Sequence, residues 1–313
     1  MTIREIWCLS ETGNEEADRT ISEKDLEKYT GAVVEGKIPW VEIRQMDDQR
    51  LAIDAAKKYD VVAVSGPGYS LPQRIALENI IAETQKGGTK LFSFANSFED
   101  VYAIAHSLEA GVNVIVRDAK LIRVFRNYFS PIKLELGPVE IKSNEEAGSG
   151  WRCCIDTGDL MSEGEGMLVG SFSSGYFLVH SETAVSEFTE PREFRVNAGV
   201  VSNYIITDKK EDGLKTKYLK EIRSGQSVLV LNHKGDARRA TVGRNKIEYR
   251  PLRRISTENY SILLQDAETV CLTSAEGKPV SVCSLKKGDY VLVCENAGGM
   301  HFGTQISEGI IEQ

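Results

Sequence analysis

Histidine is scarce in this chain, with four in 313 residues, so a histidine beside a carboxylate in a β-type run draws notice first. His180 follows the apolar run YFLV and alternates with Glu182 across Ser181. A strand would point both side chains to one face, as a base with its orienting carboxylate or two ligands of a metal require. A surface pair at a strand end would read the same way. His301 stands on the corresponding hairpin of a later unit and would converge on His180 if the units are related. His106 lies in a helical pattern and reads as structural, and His233 lies in a polar turn and reads as solvated.

Other polar residues share these β runs. In FRVNAG, the guanidinium of Arg195 could grip a carboxylate in two-pronged fashion, the amide of Asn197 could bond a hydroxyl, and Gly199 would allow a close backbone approach. A strand arginine paired to a neighbouring acid is the plainer reading. Glu268, beside Asp266, could ligate a metal or act as a base, and could equally be solvated. Lys217 and Lys246, with Lys215 a weaker candidate, could form a Schiff base with a keto group or protonate an enolate. The loop GPGYSL, from Gly66, offers two glycines of a dinucleotide fingerprint but no third, and Pro72 interrupts the expected helix start. As a nicotinamide-binding signature it is weak.

The elements that must carry these residues fall into two halves. Up to about residue 130, the runs IREIWCL, GAVVEG, YDVVAVSG, TKLFSFA and VNVIVRD read as buried strands. LENIIAETQ, SFEDVYAIAHSLEAG and AKLIRVFRNYF carry apolar residues at helical spacing. Ser97 with Asp100 predicts a helix start, and Gly111 a left-handed stop. Such βα units imply parallel strands, and five strands point to a partial barrel or an open sheet. Residues 131–313 lose the helical pattern. SEGEGMLVG, RSGQSVLVL and KKGDYVLVC repeat a turn, a glycine (Gly164, Gly225, Gly288) and a short apolar run, which suggests three related β units. The expectation is an α/β plus β protein, with a βα-repeat domain over 1–130 and a β-rich domain over 131–313, pseudo-threefold if the repeat holds, carrying most site candidates.

With a net charge of -8, the chain lacks the field that would hold a phosphate backbone, so nucleic acid is not an expected partner. No run approaches the roughly 18 apolar residues of a membrane span, and the N-terminus lacks a signal-peptide pattern. No CxxC spacing occurs among the six cysteines, which read as reduced, mostly buried thiols in a cytoplasmic protein.

The second half resembles the archaeal-type 3-dehydroquinate synthase II family. The likeness is carried in order by CIDTGDLMSEGEGMLVGS, YFLVHSE, FRVNAGVV, KTKYLKEIRSGQSVLV, VGRNKIEYRPL, LQDAETVCL, GKPVSV, LKKGDYVLV and HFG. LENIIAETQ and the SLEAGVNVIVRD step extend it into the first half, while residues 1–70 carry little of it. The chain departs at Gly158 and Asp159 of CIDTGDL and at PREFRVNAG. The resemblance implies oxidative deamination and cyclisation of 2-amino-3,7-dideoxy-D-threo-hept-6-ulosonate to 3-dehydroquinate, with NAD as acceptor and a small-molecule substrate. A related branch, similar to 3-amino-4-hydroxybenzoate synthases, would instead aromatise the 7-phosphorylated compound with a divalent metal, Mn or Mg. On the first reading His180, Glu182, Lys217, Lys246 and His301 are the catalytic candidates and Arg195, Asn197 and Gly199 the substrate-binding ones. On the second, His180, Glu182 and Glu268 become metal ligands. A non-catalytic metabolite-binding relative is a third reading, and homo-oligomerisation stays open.

Overall fold

The computed structural model describes residues 5–108, 112–184, 190–210, 213–296, 299–301, 304–306 and 312, with 299–301 and 304–306 described by backbone alone. The chain divides into two compact units, Met1–Ser130 and Pro131–Gln313.

In the first unit the strands are β1 (Ile6–Leu9), β2 (Arg19–Ile21), β3 (Leu26–Lys28), β4 (Ile38–Glu42), β5 (Val61–Ser65), β6 (Lys90–Ala95) and β7 (Asn113–Val116). The helices are α1 (Met46–Ala56), α2 (Arg74–Thr84), α3 (Phe98–Ala105) and α4 (Ala119–Phe129). All seven strands are parallel, in the order β2-β1-β7-β6-β5-β4-β3, so the sheet is a half-barrel of βα units. Strand alternation separates two apolar layers. Cys8, Val62, Val64, Val114 and Val116 pack with helix residues such as Ala52, Leu77, Ile80, Ile104 and Phe125. Trp7, Ala63, Phe92, Phe94 and Ile115 fill the opposite face.

Ser97 caps α3, its side chain accepting from Asp100 N at 3.1 Å. Three details differ from the sequence expectation. GAVVEG is not a strand, because Gly31 and Gly36 both take positive φ, and the strand begins instead at Ile38. Helix α3 ends at Ala105 rather than running to Gly111, with Leu108 turning left-handed at φ 55°; Gly111 itself lies outside the described residues. The short strands β2 to β4 and helix α1 are additional to the expected pattern.

The second unit holds β8 (Ile132–Lys133), β9 (Gly137–Glu140), β10 (Ser143–Thr157), β11 (Glu165–Phe172), β12 (Gly175–His180), β13 (Arg195–Val200), β14 (Tyr204–Lys210), β15 (Gly213–Tyr218) and β16 (Ser227–Asn232). It continues with β17 (Asp236–Ser256), β18 (Ser261–Gln265), β19 (Cys271–Thr273), β20 (Pro279–Ser281), β21 (Tyr290–Glu295), β22 (Gly299–His301) and β23 (Thr304–Ile306). The large sheet is antiparallel. Strand β17 spans two parts of it, pairing with β16 through its first residues and with β10 and β18 through the rest. Between them lies one core, to which β10 sends Cys153 and Ile155, β13 Val196 and Ala198, β11 Met167 and Val169, and β16 Val228 and Val230.

Gly164, Gly225 and Gly288 adopt φ of 84°, 84° and 96°, each opening the turn before β11, β16 or β21. The repeated motif is therefore a repeated left-handed turn. The sheet partners of these strands differ: β11 runs beside β12, β14 and β16, while β21 pairs with β9 and β12.

Candidate functional site

The strand sequence RCCIDT in β10 is apolar on one side and polar on the other. Cys153 and Ile155 enter the core, which turns Arg152, Cys154 and Asp156 to the opposite face. Register supplies their neighbours: Asp156 lies opposite Arg195 of β13 and Arg244 of β17, Cys154 opposite Asn197 and Lys246, and Arg152 opposite Glu248. The β10–β13 ladder shifts between Cys153 and Cys154, leaving Ala198 unpaired as a bulge, and this shift sets Asn197 and Arg195 on the polar side. Gly199, at φ 95°, follows the bulge; a Cβ there would sit 2.3 Å from Leu263 O. Gly199 does permit a close backbone approach, and the backbone that approaches is β18.

Asp156 accepts from two arginines. Arg195 donates from Nε and Nη2 at 2.6 and 2.9 Å, and Arg244 from Nε and Nη2 at 3.0 and 2.5 Å. Burial works to raise the Asp156 carboxyl, but these bonds outweigh it and hold it below the usual carboxylate range. The bond to Asp156 in turn pushes the Arg195 guanidinium up. Further along the face, Arg152 donates to Gln265 Oε1 at 2.6 Å and lies 2.9 Å from Glu248 Oε2. Lys246 and Arg250 reach the same Glu248 at 3.0 and 2.9 Å. The Glu248 Oε2 contacts with Arg152 and Lys246 are ion pairs without hydrogen-bond alignment. Five cations thus converge on two carboxylates, Asp156 and Glu248, in a protein of net negative charge.

Asn197 Nδ2 donates to Gln265 Oε1 at 2.9 Å, while its Oδ1 is buried and accepts no hydrogen bond among the described residues. A buried acceptor without a donor is costly. Glu182 lies at the edge of β13, its amide donating to Arg195 O at 2.8 Å and its Oε2 accepting from Arg192 at 2.9 Å. Burial pushes its carboxyl up, and the nearby Arg192, Arg195 and Arg152 offset this only in part. The same burial raises the thiols of Cys154 and Cys271 to about 11, keeping them neutral. The face therefore combines fixed guanidinium groups, a carboxyl raised by burial and an unpaired acceptor. Such a set can bind an anion, move a proton and stabilise developing negative charge.

Two family models match the chain, the 3-dehydroquinate synthase II N-terminal domain over residues 2–129 and the C-terminal domain over residues 138–313. The chain belongs to the 3-dehydroquinate synthase II family. The N-terminal match brings residues 2–70, which hold none of the shared motifs, within the family. A curated 3-dehydroquinate synthase of Nitrosopumilus maritimus is 42% identical over 273 residues, covering 85% of this chain and 75% of the relative. That of Methanopyrus kandleri is 41% identical over 291 residues (88% and 71%), and that of Methanobrevibacter smithii 36% identical over 326 residues (99% and 87%). No solved structure matches the chain.

Of the sequence candidates in this family member, Arg195, Asn197, Lys246 and Glu182 gather around the polar face. His180 is held differently: its Nε2 accepts from Gly164 N at 2.8 Å and its Nδ1 lies 2.7 Å from Ser181 O. Both nitrogens are occupied by backbone, and burial lowers the imidazole so that it stays neutral. Lys246 is paired with Glu248, and Lys217 lies on β15, opposite Ile205 of β14. Glu268 is exposed, and its neighbour Asp266 is held by Arg253 at 3.1 and 3.2 Å. His301 closes β22, and its side chain lies outside the described residues. Among the described residues no three His, Cys, Asp or Glu side chains converge as metal ligands, so His180, Glu182 and Glu268 do not assemble a centre in this conformation.

His106 ends α3 in an exposed position, stacked on Tyr102 with ring centroids 4.0 Å apart. His233 is packed against Gly164 and Gly277, with a buried Nδ1 that has no hydrogen-bond partner among the described residues, rather than solvated. The GPGYSL loop does not fit a dinucleotide pyrophosphate: Gly66 N donates to Ser70 O, the chain makes one short 3₁₀ turn, and helix α2 starts only at Arg74. The six cysteines are free, Cys283 alone being exposed. No described helix is long and apolar enough to cross a membrane.

Sequence reasoning missed Arg152, Asp156, Arg244, Glu248 and Gln265. The signal was present as alternation: Arg244, Lys246, Glu248 and Arg250 place a charge at every second residue, and on the neighbouring strand Arg152 and Asp156 are charged with the neutral Cys154 between them on the same face.

Proposed function

We propose that this chain is a 3-dehydroquinate synthase that converts 2-amino-3,7-dideoxy-D-threo-hept-6-ulosonate to 3-dehydroquinate. In the net reaction a hydride passes from the amine-bearing carbon to NAD, water hydrolyses the resulting imine so that the nitrogen leaves as ammonia and a carbonyl takes its place, and the ring closes by a carbon–carbon bond to that carbonyl. Family membership supports the reading, as do relatives bearing that name that match most of this chain. The observation that carries it is Glu182, a carboxyl raised by burial at the edge of an arginine-rich face. A group that holds its proton more tightly than an ordinary carboxyl suits proton transfer beside a carbonyl or imine. Arg152, buried and held by Gln265 and Glu248, suits stabilisation of the enolate that ring closure requires. No residue is assigned to NAD. A cytoplasmic setting is supported by the six unpaired thiols.

The test is incubation of the purified protein with the amino-heptulosonate, free and 7-phosphorylated, supplying NAD or manganese separately. NADH with ammonia release supports the proposal. An aromatic product that needs manganese and no NAD assigns the chain to the aminohydroxybenzoate branch, and absence of turnover in every condition refutes both.

A further inference from the structure

The polar face holds more cation than its own carboxylates balance, and the surplus is not spread evenly. At Asp156 two guanidinium groups share one carboxylate, and each uses only Nε and Nη2 there; among the described residues no hydrogen-bond acceptor is in place for Nη1 of Arg195 or of Arg244. Arg195 is fixed, its side chain 11% exposed, whereas Arg244 is 59% exposed and, among the described residues, anchored on Asp156 alone. Arg244 is thus the movable wall of the cluster. Two residues from Arg195 on the same strand, about 7 Å along it, Asn197 is 4% exposed and presents its unpaired Oδ1. The cluster therefore lacks an oxyanion at one point and an N–H or O–H donor beside it.

We infer that Arg195, Arg244 and Asn197 form a subsite for an α-amino carboxylate: the carboxylate lies on the two Nη1 groups and the ammonium donates to Asn197 Oδ1. Two guanidinium groups on one oxyanion give directional, charge-assisted bonds, and a donor at Oδ1 removes the unpaired buried acceptor. Resting on the proposed reaction, the subsite fixes the direction in which substrate enters. The amine-bearing carbon lies against β13, on whose edge Glu182 sits, and the keto end points away. Arg244 becomes a substrate-binding residue that offers Nη1 to the ligand while its Nε and Nη2 stay on Asp156.

Binding of 2-aminoheptanedioate and of heptanedioate, which lacks the amine, to the full chain tests this by calorimetry without turnover. Wild type is expected to prefer the amino diacid by about tenfold, Arg244→Gln to weaken both ligands by about tenfold, Asn197→Ala to erase the preference and Asn197→Asp to retain it. Equal affinity of wild type for the two diacids, or an Arg244→Gln protein that binds as wild type does, overturns the subsite. Arg244 is exposed, so that variant carries the test if Asn197→Ala does not fold. Binding with the expected pattern but without dehydroquinate formation would leave the subsite standing and refute the reaction. Turnover indifferent to Arg244→Gln would do the reverse.

Discussion

Asp156 is the residue on which the polar face turns, and replacing it with asparagine keeps its size while removing its charge. Arg195, with 11% of its side chain exposed, would then be a buried cation without a counter-ion. Removing one partner of a buried ion pair costs about 3–5 kcal/mol. Arg244, at 59% exposure, can turn to water, so its share is below about 1 kcal/mol. In a domain of about 150–250 residues each kcal/mol moves the melting temperature by about 2–4 °C. Asp156→Asn should therefore lower the transition of the β-rich unit by on the order of 10 °C, and Arg244→Gln by no more than about 3 °C. Because the native Asp156 carboxyl titrates below its unfolded value near 4, its stabilisation is complete at neutral pH and is lost as pH falls through the native value. The variant should show a flatter acid limb. Differential scanning calorimetry across pH, with urea unfolding as a second probe, measures both effects. Equal losses for the two variants, or a loss below about 1 kcal/mol for Asp156→Asn, would refute the view that burial decides which arginine depends on this carboxylate.

Glu182→Gln should lower turnover by about 10²- to 10⁴-fold in the 3-dehydroquinate assay while leaving stability at neutral pH unchanged or raised. A carboxyl with a raised native value gains stability as pH falls toward its unfolded value of about 4.3, and the variant should lack that gain in pH-dependent melting. Gly199→Ala should cost about 3 kcal/mol or more, read by urea unfolding, because φ of 95° and the contact with Leu263 O both oppose a Cβ. His180→Ala should destabilise by about 2–4 kcal/mol through loss of two buried bonds and a packed ring. The wild-type contribution is present above the unfolded histidine value of about 6.5 and lost as pH falls through the lowered native one. An acid limb that His180→Ala leaves unchanged would contradict the neutral, structural role of this ring.

The parts of the molecule readable from sequence are those in which one residue type carries one physical demand. Val62, Val64, Val114 and Val116 must be buried wherever the sheet lies, and Ser97 with Asp100 can satisfy a helix start locally. GAVVEG misled because glycine permits a run to bend that its valines suggest is extended. His180 misled for a related reason: alternation can place a side chain on a face, but only the fold shows that Gly164 N and Ser181 O meet its ring. The Asp156 cluster was less legible still. Its members come from β10, β13 and β17, and their convergence depends on antiparallel register and on one bulge at Ala198, neither of which is written in any single segment. Alternating charge in β17 announced a polar face; it did not announce which strand would lie opposite.

Strand β10 itself argues that the polar face is kept for what it binds. Cys153 and Ile155, on the core side, are 0% exposed, and Arg152, Cys154 and Asp156, on the other, are only 6%, 2% and 6% exposed. A strand buried on both faces is most simply stabilised by apolar residues on both, and a buried ion pair is often no better for stability than well-packed hydrophobic side chains of similar volume. Packing therefore explains Ile155 and leaves Asp156 unexplained. The surplus cations lie toward water, Arg244 with 59% of its side chain exposed and Lys246 and Arg250 with 42% each, where solvent screens their repulsion. The proposed carboxylate subsite would account for a buried ion cluster that packing alone does not require, because the cation turned outward there, Arg244, is one that a negative ligand would meet.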